Sequence, residues 1–282
     1  MILRYGIKLV TVTKSNPENV GTKVSLGGVR GGPDVKTLRK DIWWLPQVAS
    51  GIGLALFVIY ATWTAFRNGN YYDGAHGRDY LSPFYSPCLA SNCTYKTASV
   101  LGTWWKLSPA LPILIFPAGF RATCYYYRKA YYKSYWLSPP ACGVAEPHKT
   151  YSGETKLPLI LNNIHRYFWY FAVVFAIILT WDAVAAFRFG NSVGMGLGTL
   201  VFIVNAALIW LYTLSCHACR HLCGGHVDQF SKAKIRHWFW KKVSVLNPHH
   251  MLFAWLSLVW IGVTDFYVYL VASGTIHDPR FF

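Results

Sequence analysis

Long apolar stretches alternate with shorter polar and basic segments along the chain, a pattern that predicts a bundle of membrane-spanning helices. A hydrocarbon core of about 30 Å requires roughly 20 residues of helix. Stretches of about this length lie at residues 43–66, 107–127, 166–188, 194–216 and 250–273. We therefore expect an all-α integral membrane protein, with five transmembrane helices in a domain over 43–273, a flexible N-terminal tail over 1–42 and a short C-terminal tail over 274–282.

The second stretch is the least regular of the five, because Pro109, Pro112 and Pro117 lie within it. Proline removes a backbone donor and clashes with the preceding turn, so these residues are expected to kink or shorten the helix. The five stretches show no apparent internal repeat.

The composition supports a membrane protein. Hydrophobic residues make up 54% of the 282 positions and charged residues only 13%, against about 25% charged residues in soluble domains. Aromatic residues reach 17%, which is typical of a protein with aromatic belts at both membrane surfaces. The net charge of +16 lies in loops and accompanies no recognition motif, so nucleic acid is not an expected partner.

Lysine and arginine are distributed unevenly between the segments that flank the five stretches. Nineteen lie in the N-terminal tail and in the loops 128–164 and 217–249, whereas six lie in the segments of the other side. Cytoplasmic loops of membrane proteins carry the excess of basic residues. The tail 1–42 is therefore predicted in the cytoplasm, and the tail 274–282 outside it.

Residue types that bind metals concentrate on the predicted cytoplasmic side, above all in LYTLSCHACRHLCGGH over 211–226. Thiolates and imidazoles are common ligands of zinc, haem iron and iron–sulfur clusters. On a helix, His217 and His221 form an i, i+4 pair that can hold one metal ion, and Cys216 and Cys219 share another face. Cysteines that act as small apolar residues or carry palmitate are the alternative interpretation. The candidate ligands are Cys124, Cys142, Cys216, His217, Cys219, His221, His250 and His165.

The residues leave the type of metal centre open. Two haems need axial histidines at two depths, and the first two apolar stretches contain none. A single haem and a structural zinc ion are both compatible with the residues. A mixed Cys/His iron–sulfur cluster fits the available ligands, and histidine ligation raises its reduction potential, which suits electron delivery to a quinone.

Two ligand arrangements are compatible with such a cluster. In the first, one helix supplies the imidazoles and another segment the thiolates: His217 and His221, with Cys124 or Cys142. In the second, one helix supplies the thiolates and neighbouring helices the imidazoles: Cys216 and Cys219, with His165 and His250.

Four segments together form a recognisable pattern: FRATCYYYRKAYYKSYWLSPPAC, EPHKTYSGETKLPLILNNIHRYFWY, SCHACRH and LNPHHMLFAWLSL. They resemble the single-chain membrane anchor of the actinobacterial, mycobacterial-type succinate dehydrogenase. The resemblance implies a multi-pass protein of the bacterial plasma (inner) membrane without a succinate site of its own. Its expected partners are a flavoprotein subunit and an iron–sulfur subunit, docked on the cytoplasmic face.

The resemblance also implies the cofactors. The anchors of this family carry a Rieske-type 2Fe–2S cluster within the membrane region and no haem. Electrons would pass from succinate through flavin and the partner's clusters to the anchor's cluster and then to a membrane quinone, with menaquinone expected. Two rival interpretations are a haem b-bearing cytochrome anchor of a quinone oxidoreductase, and a transporter or metal-handling membrane protein without redox function.

His165, Arg166 and Tyr167 form a candidate quinone site at the predicted cytoplasmic boundary of the third stretch. A quinone carbonyl needs hydrogen-bond donors in an otherwise apolar pocket, and arginine and tyrosine supply them. The alternative is an arginine that extends to the membrane surface beside a tyrosine of the aromatic belt.

Two further features lie towards the outer side. Asp182 and Asp265 fall inside the third and fifth stretches, where a carboxylate is costly. They fit either a proton path linked to quinone chemistry or a pair of hydrogen-bonded acids that join helices. Cys88 and Cys93 are expected to form a disulfide if that compartment is oxidising, and otherwise to be free.

Overall fold

The computed structural model describes residues 39–74, 77–89, 108–144, 146–147, 155–157 and 159–282. Helices dominate this part of the chain, with two short strands, β1 (Arg188–Phe189) and β2 (Ser192–Val193), paired antiparallel. The α-helices are α1 Leu45–Arg67, α2 Ala110–Thr123, α3 Tyr125–Tyr131, α4 His165–Ala185, α5 Leu197–Leu214, α6 His217–Gly224, α7 Lys234–Leu246 and α8 His250–Ala272. The prediction of an all-α membrane protein is confirmed.

Four helical segments are long and apolar enough to cross a membrane: Leu45–Arg67, Leu159–Ala185, Leu197–Leu214 and Lys234–Ala272. The last of these joins α7 to α8. Helix α5 packs against both α4 and α8, and α2 lies against α4. Residues 1–38, most of the predicted N-terminal tail, lie outside the described residues.

The second predicted span differs from a single transmembrane helix. Helix α2 has 14 residues, which is about 21 Å at 1.5 Å per residue and therefore shorter than a bilayer core. Pro117 lies inside α2, yet the helix ends at Thr123 and the chain is extended at Cys124 before α3 begins. The C-terminal break lies at the cysteine and not at Pro117, whereas Pro109 is the N-cap at which the helix begins.

Asp265 of α8 links α8 to α1 and to the loop that follows α1, at the predicted outer end of the bundle. It is fully buried and accepts two hydrogen bonds from Arg67, at 2.8 and 3.1 Å. Thr64 also donates to it at 3.0 Å, and Tyr60 and Ser82 donate further bonds. This carboxylate is therefore a fully bonded acid that ties α8 to α1 and to the outer loop, as one of the two sequence interpretations has it.

Hydrogen bonds to two further aspartates also hold the outer loop and the C-terminal tail against the helices. The buried Asp182 of α4 accepts a hydrogen bond from Ser86 of the outer loop at 2.5 Å. Asp278 of the C-terminal tail accepts from the backbone N–H of Gly198 at 2.8 Å, which satisfies one of the unpaired donors at the start of α5. Cys88 is disulfide-bonded, while its expected partner Cys93 lies outside the described residues.

Candidate metal centre

Two cysteines occupy equivalent breaks between consecutive helices. Cys124 separates α2 from α3, with φ −64° and ψ 133°, and Cys216 separates α5 from α6, with φ −62° and ψ 142°. Each is the N-cap of the short helix that follows. For Cys216, the sulfur accepts a hydrogen bond from the Ala218 N–H at 3.4 Å.

Two histidines complete the group. His165 and His250 are the first residues of α4 and α8, and each follows a short 3₁₀ turn. The His165 Nε2 atom lies 3.3 Å from the Cys216 sulfur, and the His250 Nε2 atom lies 3.7 Å from the Cys124 sulfur. Both cysteines and His250 are 1% exposed. Four helix ends thus bring two thiols and two imidazoles together at one end of the bundle.

The other ring nitrogen of each histidine faces a hydroxyl group. The His165 Nδ1 atom lies 2.8 Å from Thr123 Oγ1, and the His250 Nδ1 atom lies 2.7 Å from Ser215 Oγ. Each of these hydroxyl residues immediately precedes one of the two cysteines. Each hydroxyl therefore contacts the Nδ1 atom of its imidazole, while the Nε2 atom on the other side of the ring faces a cysteine sulfur.

The two cysteines of the group lie in two short segments with the same pattern of residue types, although the five apolar stretches as a whole show no repeat. FRATC at 120–124 and YTLSC at 212–216 both place an aromatic residue, a hydroxyl residue and a cysteine at positions i, i+3 and i+4. The aromatic ring of each stretch stacks on the histidine of the helix packed against it, with centroids 4.9 and 5.1 Å apart: Phe120 on His165, and Tyr212 on His250. This spacing is a sequence signal that could have identified the two cysteines, although it does not include the two histidines.

The remaining candidates on α6 have other neighbours. His217 lies beside the group, with its ring centroid 6.0 Å from that of His250. Cys219 is buried and interacts with Cys223 one turn on, and burial raises the pKa of the Cys219 thiol to about 12. The ring of His221 pairs with that of His226, at a centroid distance of 5.5 Å. The i, i+4 histidine pair is therefore divided between two environments.

Three further candidates lie on exposed surfaces. Cys142 is exposed in a turn where its carbonyl oxygen accepts a hydrogen bond from Arg39 at 3.0 Å. Arg166 is exposed, and Tyr167 is 65% exposed. Of the predicted quinone residues, His165 belongs to the Cys/His group, while the other two face outwards from α4.

The donor set fits a two-iron cluster better than a single ion. Within the described residues, no three His, Cys, Asp or Glu side chains are arranged to hold one metal ion. The four residues are instead disposed as two Cys/His pairs. A 2Fe–2S cluster needs only two protein ligands for each iron, and Rieske centres use two histidines and two cysteines. The group combines residues of both arrangements predicted from the sequence.

A largely apolar cavity of about 140 Å³ lies inside the bundle, next to this group. Its lining includes Phe120 and Tyr212, the two rings that stack on the histidines, and the polar residues Arg121 and Thr213. The Thr213 hydroxyl is buried and has no hydrogen-bond partner among the described residues, whereas the buried Tyr212 hydroxyl interacts with the Cys124 thiol. Arg121 donates to Tyr127 at 2.6 Å and to Ser257 at 3.2 Å. Sequence reasoning did not identify this cavity, although Arg121 interrupts an apolar stretch.

The fold and the site together define a helical membrane protein with a buried Cys/His group at one end of its bundle. The family model described as actinobacterial succinate dehydrogenase subunit SdhC matches residues 45–274, and the chain belongs to this family. It is therefore a membrane-anchor subunit of succinate dehydrogenase, which confirms this part of the resemblance.

A solved structure gives the same result. The chain is similar to a chain of the Mycobacterium smegmatis Sdh1 complex in the apo form, with 50% sequence identity and a TM-score of 0.81. The match covers 90% of this chain and 97% of that chain. No curated protein sequence matches the chain significantly.

Proposed function

We propose that this chain anchors the flavoprotein and iron–sulfur subunits of succinate dehydrogenase at the cytoplasmic face of the bacterial plasma membrane. In this proposal it also conducts electrons to a membrane quinone, through a Rieske-type 2Fe–2S cluster. The observation that carries the proposal is the convergence of Cys124, Cys216, His165 and His250. The asymmetry of basic residues supports a cytoplasmic N-terminus, and the same side for this end of the bundle.

The chain's own residues would hold and shield the cluster. His165, His250, Cys124 and Cys216 would supply the four protein ligands, two for each iron. The bound cluster would supply one-electron transfer at a potential raised by the two imidazoles. Burial of Cys124, Cys216 and His250 excludes water on their side of the site, and the four helix ends that supply the ligands fix their relative positions.

The haem alternative has less support. A haem inside the bundle would need an axial ligand, and the residues that line the interior cavity include no histidine, cysteine or methionine. His165 and His250 already have thiol and hydroxyl neighbours on both ring nitrogens. A transporter or metal-handling protein without redox function is disfavoured by membership of the succinate dehydrogenase family.

Purification of the native complex through a tag on this chain tests the proposed function. We expect two soluble subunits to copurify and the reduced spectrum to lack a haem α-band. Cys124→Ala combined with Cys216→Ala should remove about two irons and two acid-labile sulfides per complex, while succinate still reduces a soluble dye. Cys142→Ala, at the exposed cysteine, is the matched control and should keep the full iron content. A haem band, or unchanged iron in the double variant, would contradict the proposed cluster.

The acceptor is proposed to be a quinone, and two places could take its headgroup. The first is the predicted site at His165, Arg166 and Tyr167. The second is the interior cavity beside Phe120 and Tyr212. We favour the cavity, because quinone carbonyls need donors within an apolar pocket and Thr213 supplies a buried hydroxyl that has no hydrogen-bond partner among the described residues.

Single substitutions separate the two places. Tyr212→Phe and Thr213→Val each remove one cavity hydroxyl at nearly constant volume. Each should raise KM for quinone roughly 5- to 10-fold, the value of one lost hydrogen bond. Arg166→Ala and Tyr167→Phe are the comparison and should change KM little. Steady-state kinetics with succinate and a short-chain quinone measure all four variants, and the reverse pattern would assign the headgroup to the surface of α4.

A further inference from the structure

The two hydroxyls that face the Nδ1 atoms of the histidines also lie within hydrogen-bond distance of backbone carbonyl oxygens. Thr123 Oγ1 donates to the carbonyl oxygen of Gly119 at 2.7 Å, and Ser215 Oγ donates to the carbonyl oxygen of Tyr212 at 3.2 Å. A hydroxyl group has a single proton to donate, while its oxygen can still accept. When each hydroxyl donates to its carbonyl, its oxygen accepts from the histidine that faces it, and the direction of that contact goes with the tautomer of the ring.

This arrangement favours one tautomer for both histidines. An Nδ1 atom that donates to a hydroxyl oxygen must carry the proton, so the lone pair of a neutral imidazole lies on Nε2. The Nε2 atoms of His165 and His250 are the atoms that face the cysteine sulfurs. Both imidazoles are thus presented to the Cys/His group in the same, ligand-competent form.

The contacts also cross between the two duplicated stretches. His165 bonds the hydroxyl of the first stretch, 120–124, while its Nε2 atom faces the cysteine of the second. His250 does the converse: it bonds the hydroxyl of the second stretch, 212–216, and faces the cysteine of the first. Each histidine therefore links the two helix breaks, and both hydroxyls have equivalent roles.

We propose that Thr123 and Ser215 are positioning residues that hold His165 and His250 in the Nδ1-protonated form, so that both ligate iron through Nε2. The inference rests on the proposed function, since it concerns the same cluster. An acceptor on the remote N–H orients a ligating imidazole and makes it more basic. A more basic ligand stabilises oxidised iron, so the two hydroxyls lower the reduction potential of the cluster.

Hydroxyl-deleted complexes test this role. Thr123→Val and Ser215→Ala should each raise the midpoint potential of the cluster and shift its electron paramagnetic resonance g-values. Both should do so in the same direction, because the two hydroxyls are equivalent. Thr123→Ser restores the hydroxyl and should return both readouts to the wild-type values. Thr62→Val is the matched control: Thr62 makes the same i−4 bond, to Val58 at 2.8 Å, on the exposed face of α1.

The ligating nitrogen provides an independent readout. Pulsed electron paramagnetic resonance on complexes labelled with ¹⁵N at Nε2 of histidine should give the strong couplings of directly bound nitrogens. Strong coupling from Nδ1-labelled histidine instead would overturn the proposal.

The outcomes distinguish this role from the proposed function. Unchanged potential and g-values in Thr123→Val and Ser215→Ala, with the cluster present, overturn the positioning role alone. Loss of the cluster in Thr123→Val supports the role if Thr123→Ser restores it, and overturns the role if it does not. A wild-type complex without a His-ligated cluster signal would instead overturn the proposed function.

Discussion

Replacement of His165 or His250 by alanine is expected to abolish reduction of quinone by succinate, while reduction of a soluble dye at the flavoprotein continues. Each substitution removes one proposed iron ligand from a buried site where His250 is only 1% exposed. The low-g electron paramagnetic resonance signal of a His-ligated cluster should disappear in both variants. Because the cluster would join four helix ends, its loss should also lower the thermal stability of the complex.

His249→Ala is the matched control for this experiment. His249 is the direct neighbour of His250, but it is exposed and contacts the ring of Phe253. This variant should keep the signal and the quinone activity. If His165→Ala and His250→Ala, singly and together, kept both as well, the Rieske-type assignment would be wrong.

Arg67→Met should destabilise the complex by roughly 3–5 kcal/mol, the usual cost of leaving a buried charge without its partner. The Arg67 guanidinium is the cationic partner of Asp265, whose side chain is fully buried. Thr64, Tyr60 and Ser82 would still donate hydrogen bonds to the carboxylate, but none of them carries a charge. The midpoint of thermal unfolding of the purified complex is the measurement.

Two comparisons make this result specific. Adding Asp265→Asn to Arg67→Met removes the unpaired charge and should recover a large part of the lost stability. Arg39→Met breaks an ion pair with Asp41, in which the arginine side chain is 33% exposed and the aspartate side chain 56% exposed. Exposed pairs contribute about 0–1 kcal/mol, so this variant should unfold near the wild-type midpoint. Equal destabilisation by Arg67→Met and Arg39→Met would contradict the role assigned to burial.

The transmembrane pattern was readable from the sequence, because a helix in lipid must expose apolar side chains along its full length. Four of the five predicted spans correspond to long apolar helices. The remaining predicted span, the second stretch at 107–127, shows the limit of this reasoning. Hydropathy cannot distinguish a continuous helix from α2 and α3 with one extended residue between them, because the apolar side chains remain the same.

The candidate site was predictable as a region and not as a set of ligands. Five of the seven Cys and eight of the ten His residues lie on one predicted side, since helix ends and loops of one side share a depth. Selection among them depends on the extended backbone at Cys124 and Cys216, which turns each sulfur towards a histidine of another helix. These orientations arise from contacts between segments tens of residues apart, such as Thr123 with His165.

The sequence by itself determined the helical membrane class, the predicted sidedness and the family resemblance, because these follow from local composition and recognisable segments. Only the tertiary structure selected Cys124, Cys216, His165 and His250, enclosed the cavity beside Arg121, and paired Asp265 with Arg67. Side chains far apart in the chain come into contact only when the helices pack, and the pattern of residues along a single chain does not specify which helices are neighbours.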